Sequence, residues 1–168
     1  MLNRIIRSHN GTVTLKDCLT SIFSLEAALP SKEIYLISPF LSNSPIIQNA
    51  LDEYTDLFPL VEGKLIYLSD ILKTLAWRGS SIRIICDPER IETRRFISQL
   101  GDSAEIKKLN NNHEKGLVTS RIYLHGSMNF TYRGININGE NVRITSNGVE
   151  VNQAFMSARA RWEEAERP

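Results

Sequence analysis

Apolar and polar positions along the first third of the chain follow first a helical and then a strand-like pattern. Apolar side chains recur every three or four residues between Thr14 and Leu29, which predicts an amphipathic helix capped at Thr14 and closed by Pro30. Residues 33–38 are rich in β-branched and aromatic side chains, and Pro39 ends this run. We expect a central strand there.

The alternation of helix and strand continues up to residue 100. Small polar residues that cap helices precede apolar positions at helical spacing. The predicted elements are a helix opening at Ser44 and Pro45 toward Tyr54, a helix from Ser69 to Gly79, a strand over 81–86 and a helix opening at Asp87 and Pro88. Helices and strands in alternation predict a parallel α/β core.

The pattern changes to short strands after residue 103. These strands are predicted over residues 104–108, 115–119, 122–126 and 141–145. The turn-forming residues 119–121 predict a tight hairpin, which adds antiparallel pairing to the sheet. Apolar positions from Val151 to Trp162 then lie on one face of a C-terminal helix, which we expect to pack on the sheet.

These elements predict an α/β fold class, with a mixed, mostly parallel sheet flanked by helices on both faces. We find no linker and therefore expect a single domain over residues 1–168, in which residues 1–13 stay unassigned. The composition agrees, because a chain of 168 residues with 42% hydrophobic and 23% charged residues is typical of a globular domain.

The cysteines and the start of the chain favour a reducing compartment. Cys18 and Cys86 are far apart and lie in apolar runs, so we expect two buried thiols rather than a disulfide. The first ten residues lack the apolar centre of a secretory signal, and we find no apolar stretch long enough to span a membrane. We therefore expect a cytoplasmic protein with no membrane partner.

One segment concentrates polar side chains that suit phosphate chemistry. His113 and Lys115 would project to one face of a strand, as would Ser127 and Asn129 in an extended turn. If a hairpin joins the two pairs, they meet at the same end of the sheet around one pocket. Lys115, Ser127 and Asn129 could then bind the oxygens of a phosphodiester. The neutral imidazole of His113 could attack phosphorus without a metal.

Other residues near this segment allow more than one interpretation. Glu140 is the nearest carboxylate that could orient the imidazole, although a surface carboxylate at a strand start is an alternative. Ser127 and Asn129 could merely form a turn. His125 should face away from the site because side chains alternate along a strand. His9 has no supporting context.

These residues resemble the signature of the phospholipase D superfamily, which reads His-x-Lys, four residues, Asp, about six residues and then Gly-Ser-x-Asn. The matching residues are His113, Lys115, Gly126, Ser127 and Asn129. The run Asn-Gly-Glu-Asn at 138–141 resembles the downstream segment of single-motif bacterial nucleases of that family. By chance, both motifs at this offset are expected in about one chain in ten thousand or fewer, so the pair is specific.

The chain departs from the signature at two points. Ser120 stands where the family has Asp, and the hairpin is one residue shorter. In the family that Asp is regarded as a structural support away from the phosphate. The departure therefore bears on activity more than on fold.

The resemblance implies a mechanism and a partner. In the family two motifs converge on one site, where one histidine attacks phosphorus and the other protonates the leaving oxygen. This chain carries one motif, so the resemblance implies a homodimer whose two copies share a site. It also implies that no metal or other cofactor is used. We expect a phosphodiesterase that cleaves nucleic acid, with DNA the favoured substrate, through a phosphohistidine at His113.

Two other functions stay open. Because Ser120 replaces Asp, the chain could be a catalytically weak DNA-binding subunit of a larger complex. A lipid phosphodiesterase ranks lowest, because such enzymes usually carry both motifs in one chain. By analogy alone, a nuclease inside the cell could belong to a restriction or phage-defence system with partner proteins.

Several further residues have a structural and a functional interpretation. The pairs 94–95 and 107–108 are basic and could be solvated faces or contacts to a DNA backbone. Trp77 and Trp162 lie on apolar helix stripes, which favours a core or interface position over base stacking. Residues 54–64 form a predicted loop that could cover the site or the dimer interface.

Overall fold

The structure, a computed structural model, describes residues 1–8 and 13–168. His9, which the sequence leaves without a role, lies outside the described residues. The strands are β1 (Asn3–Ser8), β2 (Glu33–Ile37), β3 (Pro45–Gln48), β4 (Leu65–Tyr67), β5 (Ser81–Ile85), β6 (Glu105–Lys107), β7 (Gly116–Val118), β8 (Tyr123–Gly126) and β9 (Glu140–Thr145). The helices are α1 (Val13–Ala28), α2 (Leu68–Trp77), α3 (Ile91–Leu100), α4 (Tyr132–Asn136) and α5 (Gly148–Glu164).

In the described part of the chain, a seven-stranded sheet has the order β1-β9-β8-β7-β2-β5-β6. This mixed sheet with helices on both faces confirms the predicted fold class. Its parallel pairs are β2 with β5 and β5 with β6. The pairs from β2 through β7, β8 and β9 to β1 are antiparallel. The parallel part is thus smaller than expected, because the hairpin is extended by β9 and by a first strand that the sequence left unassigned.

Helices cover the two faces of this sheet unequally. Leu36 of β2 packs into the larger core, which contains apolar residues of α1, α2 and α3. The neighbouring Tyr35 and Ile37 point the other way and pack with Trp162 of α5. This alternation explains why β2 is apolar from Ile34 to Ile37, since a strand covered on both faces has no solvated side.

Most predicted elements are confirmed within a few residues. The helix at 69–79 is α2, and Gly79 follows it with a φ of 104°, a left-handed conformation that favours glycine. The helix expected from Asp87 begins later, at Ile91. The reason is local, because the Asp87 carboxylate accepts a hydrogen bond from the Glu89 backbone N–H at 3.1 Å and forms a turn before the helix.

The helix predicted from Ser44 toward Tyr54 is wrong. Pro45 instead begins β3, which pairs with β4 in a separate two-stranded sheet. Ile46 and Ile47 are both buried in the larger core. A strand suits these β-branched residues, and proline is tolerated at the first position of an edge strand because it need not donate there.

Residues 1–8 also contribute to the sheet. β1 lies at its edge and pairs antiparallel with β9. Ile6 and Ser8 point inward and are buried, whereas Ile5 and Arg7 are exposed. In the residues that the structure covers, no helix combines the length and the apolar character needed to cross a membrane.

The strand directions gather several loops at one end of the sheet. The carboxyl ends of β2 and β5 lie side by side, and the amino end of β7 meets them because Ile37 pairs with Gly116. The carboxyl end of β8 joins this end through its antiparallel pairing with β7 and β9. Loops at the carboxyl ends of parallel strands are the usual place for a ligand site in an open α/β sheet.

Candidate active site

Two cavities lie next to each other at this end of the sheet. The first, which we call the histidine cavity, has a volume of about 380 Å³ and is lined by Pro39, Phe40, Cys86, Asp87, residues 108–113 and Lys115. The second, the tyrosine cavity, has a volume of about 370 Å³ and is lined by residues 40–42, Arg90, Glu92, Thr93, Asn129, residues 131–133 and Asn138. Phe40 lines both and separates them.

The segment before β7 brings His113 and Lys115 into the histidine cavity. The Lys115 ammonium donates to the backbone carbonyl of His113 at 2.9 Å, which leaves two of its protons for a ligand. The Gly126 N–H donates to the Lys115 carbonyl at 3.4 Å, so the β7–β8 ladder extends to this lysine. The His113 side chain is exposed and can be reached from outside the chain.

Gly126 is required by the close approach of β9. Its φ is 153°, and a Cβ atom at this position would overlap the backbone carbonyl of Asn141. The absence of a side chain lets β8 and β9 converge, which places Ser127 beside Glu140.

Ser127 and Glu140 are joined by a hydrogen bond. The Ser127 hydroxyl donates to the Glu140 carboxylate at 2.5 Å and accepts from the backbone N–H of Asn141 at 3.0 Å. The other Glu140 oxygen accepts from the Asn138 amide at 3.3 Å. The single proton of Ser127 is therefore directed at Glu140 rather than at a ligand. In the described residues no hydrogen bond joins Glu140 to His113, and the orienting role of Glu140 stays a prediction.

Asn129 is oriented by the loop after β2. Its Oδ1 atom accepts from the Phe40 backbone N–H at 3.4 Å and lies 3.4 Å from the Ser38 hydroxyl, whose own proton is donated to the Phe40 carbonyl at 2.7 Å. Ser38 is buried and also accepts from the Phe130 N–H at 3.1 Å. With Oδ1 engaged, the amide nitrogen of Asn129 is the group that can donate into the tyrosine cavity.

The structure thus gathers the five predicted site residues at one end of the sheet in three groups. His113 and Lys115 share the histidine cavity, and Asn129 lines the tyrosine cavity. Ser127 and Glu140 form a bonded pair beside them.

The histidine cavity also contains Cys86 and Lys108, which the sequence did not assign to the phosphate site. Burial, together with the neighbouring charge of Asp87, raises the pKa of the Cys86 thiol to about 12, so this thiol stays protonated and is a poor nucleophile. Lys108 donates to Glu89 at 2.6 Å, and this bond raises its pKa. Cys86 and Lys108 directly follow two strands, β5 and β6, and this position was the signal available in the sequence.

His125 faces the other side of the sheet, as expected. Its ring stacks on Tyr123 with centroids 4.4 Å apart. Burial, and next the charge of Arg143, lowers the pKa of His125, so the neutral form is favoured.

The two tryptophans differ in environment. Trp162 is buried under β2 and β5, in agreement with a core position. Trp77 is 61% exposed with the Arg78 guanidinium over its ring, so it does not belong to the core of this chain.

Ser120 lies at the opposite end of β7 from Lys115, roughly 15 Å along the strand. Its hydroxyl is 2.8 Å from that of Ser31, and its backbone N–H donates to the same Ser31 oxygen at 3.1 Å. Nearby, the carboxylate of Glu26 is buried and accepts from Arg121 at 3.4 Å. The substitution therefore affects how the hairpin is attached to the loop after α1, at a distance from the histidine cavity.

A family model described as the cardiolipin synthase, PLD-like domain matches residues 26–161. The chain belongs to the phospholipase D-like family. The matched segment contains both cavities, both motifs and the hairpin between them. Its assignment agrees with the resemblance inferred from the sequence.

Several solved structures share the fold of this chain. NucT from Helicobacter pylori is similar with a TM-score of 0.68 and 16% identity, over 99% of each chain. Nuc from Salmonella typhimurium, a phospholipase D family member, is similar with a TM-score of 0.65 and 15% identity, again over 99% of each chain. TrmBL2, an archaeal chromatin protein with a described mode of DNA binding, matches with a TM-score of 0.55 and 16% identity over 100% of this chain and 54% of its own.

No curated protein sequence matches the chain. Within residues 1–8 and 13–168, no group of three or more histidine, cysteine, aspartate or glutamate side chains could hold a metal ion.

Proposed function

We propose that this protein is a phosphodiesterase that cleaves nucleic acid, with DNA the favoured substrate, through a covalent phosphohistidine at His113. The observation that carries the proposal is the location of His113 and Lys115 in one cavity of about 380 Å³. Both belong to a motif of the phospholipase D-like family, whose domain model covers most of the chain. The fold that the chain shares with two proteins named Nuc and NucT supports a nuclease in particular.

The residues of the histidine cavity fit the requirements of phosphoryl transfer. A phosphodiester carries a negative charge that grows on its oxygens during attack, and the free protons of Lys115 can bind it. Lys108 lies in the same cavity as a second cation, and it is paired with Glu89 at 2.6 Å and with Asp87, also in the cavity lining, at 3.9 Å. The Ser127–Glu140 pair follows Gly126, whose backbone N–H donates to the Lys115 carbonyl, and so lies at the same end of the sheet.

The proposed reaction uses His113 from each of two copies of the chain. A ring nitrogen of His113 attacks phosphorus, and the bond from phosphorus to the leaving oxygen breaks with its electron pair on that oxygen. The imidazolium of His113 in the second copy gives the leaving oxygen a proton. Water then attacks phosphorus, loses a proton to that second imidazole, and the phosphorus–nitrogen bond breaks. The exposure of His113 permits the close approach that this scheme needs.

The test is cleavage of labelled DNA in buffer with EDTA. We expect the wild-type protein to cleave and His113→Ala to be inactive, with a phosphohistidine adduct trapped on a denaturing gel for wild type alone. His125→Asn is the matched control, since this second histidine faces away from the site, and it should cleave as wild type does. Cleavage that requires an added divalent metal, or that survives in His113→Ala, would contradict the proposal.

A second candidate is a DNA-binding subunit with little hydrolytic activity. The shared fold with an archaeal chromatin protein described as binding DNA favours it. The same assays separate the two functions. A gel shift with DNA, no adduct and no cleavage would favour the binding subunit.

A further inference from the structure

The tyrosine cavity presents aromatic and arginine side chains next to the candidate active site. Tyr132 lines it and is 49% exposed. Phe40 forms the wall shared with the histidine cavity, and the Arg90 guanidinium carbon lies 3.7 Å from the centroid of its ring. Aromatic rings and stacked guanidinium groups are the surfaces on which proteins bind unstacked nucleobases.

The apolar surface of this cavity is aromatic rather than aliphatic. Leu41 lines the cavity but its side chain is fully buried in the larger core, so it offers no surface to a ligand. The apolar surface that a ligand can contact is therefore formed by the rings of Phe40 and Tyr132. A flat aromatic ligand fits this surface better than an acyl chain, which gains more from a continuous aliphatic groove.

Polar groups surround these rings. The amide nitrogen of Asn129 can donate into the cavity, because Oδ1 accepts from the Phe40 backbone N–H. The hydroxyl of Ser42, which accepts from the backbone N–H of Tyr132 at 2.7 Å, keeps its own proton to donate. Such groups can pair with the edge of a base and fix its position.

The charge of the lining suits a polyanion. Arg90 and Arg133 contribute two cations, and Glu92 contributes one anion. Both arginines are exposed, so they can bind the phosphates that flank a bound base.

The two cavities are neighbours on either side of Phe40, so one strand of nucleic acid could cross this residue and occupy both. Phe40 lines each of them, and Asn129 lies two residues beyond Ser127, which neighbours Lys115 through the β8 ladder. A phosphodiester held at Lys115 therefore places one of its nucleosides beside Phe40.

We infer that the tyrosine cavity binds the nucleobase next to the scissile phosphate, with Tyr132 as the stacking residue. The inference rests on the proposed function, because it takes nucleic acid as the substrate of the adjacent histidine cavity. It adds a recognition site to that function. The substrate implied is a single strand or an unstacked end, since a base within a duplex is not free to enter a cavity.

The first experiment measures binding and does not depend on catalysis. In a His113→Ala background, fluorescence anisotropy compares an oligothymidine with an abasic strand of equal length and charge. We expect the oligothymidine to bind about five- to a hundred-fold more tightly, the range that stacking of one base provides. Tyr132→Ala should remove this preference without lowering the affinity for the abasic strand, and Tyr132→Phe should retain the preference.

Trp77→Ala is the matched control for the binding experiment. Trp77 is an exposed aromatic residue with an arginine over its ring, but it belongs to α2 and does not line the tyrosine cavity. It should leave the preference unchanged. Equal affinity for the two strands in the parent protein would overturn the inference, and so would a preference lost in Trp77→Ala but kept in Tyr132→Ala.

The second experiment measures hydrolysis of two esters with the same leaving group, thymidine 5′-(p-nitrophenyl phosphate) and methyl p-nitrophenyl phosphate. We expect wild type to favour the nucleoside ester, and Tyr132→Ala to lower kcat/KM for that ester alone. Failure of both esters to react would count against the proposed function, while the binding experiment would still decide the inference.

Two further outcomes of the hydrolysis experiment would overturn the inference. The first is equal hydrolysis of the two esters by wild type, which would leave the proposed phosphodiesterase intact. The second comes from phosphatidylglycerol vesicles added as a third substrate. A Tyr132→Ala defect confined to these vesicles would assign the cavity to a lipid headgroup.

Discussion

At the scale of single residues, hydrogen-bond partners decide what each member of the two motifs can contribute. The Lys115 ammonium donates one hydrogen bond to a backbone carbonyl and has two further N–H groups that can donate. Ser127 instead donates its single hydroxyl proton to Glu140. The lysine is therefore the stronger candidate for binding a phosphate oxygen, and the serine is better suited to hold the carboxylate in place.

We expect Lys115→Ala to lower kcat for a small phosphodiester by about a hundred- to a thousand-fold, the effect of removing one preorganised donor. Lys64→Ala is the control, because this lysine pairs with Asp52 on an exposed surface away from both cavities. Steady-state kinetics on methyl p-nitrophenyl phosphate provide the measurement. Turnover within two-fold of wild type in Lys115→Ala would remove this lysine from the site.

Cys86 should be unreactive in the folded protein despite lining the histidine cavity. Its pKa of about 12 lies above the ordinary thiol value of about 8.5, so at pH 8 it is protonated when folded and partly ionised when unfolded. In a Cys18→Ser background, we expect a disulfide reagent to react much faster with the unfolded than with the folded chain. Equal rates at pH 8 would contradict the assigned burial.

The raised pKa of Cys86 also determines how the free energy of unfolding changes with pH. The folded state retains the thiol proton between about pH 8.5 and 12 while the unfolded state loses it, so this group makes the free energy of unfolding decrease as pH rises through that range. Denaturant titrations between pH 8 and 10 should show a smaller decrease in Cys86→Val than in the parent. An identical decrease in both proteins would assign it to other groups.

At the scale of elements, the two ends of the β7–β8 hairpin have different roles, one in the site and one in the stability of the fold. One end carries Lys115 and Gly126, whose backbone groups are hydrogen-bonded to each other. The other end carries Ser120, which is bonded to Ser31 in the loop before β2. A change at one end should therefore affect catalysis, and a change at the other should affect stability.

We expect Ser120→Ala to lower the free energy of unfolding by about 1 kcal/mol through loss of its hydrogen bond to Ser31. Its kcat for a small phosphodiester should stay within about two-fold of the parent value, because the site lies at the far end of the strand. Urea titration and steady-state kinetics measure the two quantities separately. A large loss of kcat with unchanged stability would link Ser120 to the chemistry.

At the scale of the whole molecule, the proposed mechanism needs two copies of His113, and the chain supplies one. An assembly of two identical chains about a two-fold axis would bring them together. The position of His113 at the exposed end of the sheet is compatible with such an approach. Shared and independent sites differ in how activity depends on the fraction of intact chains.

Mixtures of wild type and His113→Ala, allowed to exchange subunits, test this dependence. If two copies share one site, we expect activity to follow the square of the wild-type fraction, because both histidines of a pair must be intact. Mixtures with His125→Asn are the control and should show no such loss. A linear dependence on the His113→Ala fraction would indicate that each chain acts alone.

The sequence alone was sufficient for the features that depend on neighbours in the chain. The period of apolar residues predicted α1, α2 and the strands that carry the site. The turn-forming residues 119–121 predicted a hairpin, and this hairpin brings His113 and Lys115 to the same end of the sheet as Ser127 and Asn129. The two motifs also predicted the family that the domain model shows, because the spacing between motif residues can be read directly from the sequence.

The sequence alone could not decide features that depend on pairing between distant segments. Pro45 resembles a helix start, but contact with β4 and burial of the following isoleucines make it the start of a strand. The edge strand β1 forms because β9 offers an unpaired edge more than 130 residues away along the chain.

The division of the site likewise follows from tertiary contacts. Phe40 comes from the loop after β2 and separates His113 from Asn129, although all three belong to the same end of the sheet. The sequence thus determined which chemical groups meet at that end, since the period of a strand is fixed by covalent geometry. Their distribution between two cavities was decided by packing, because a wall between them requires residues distant in the chain.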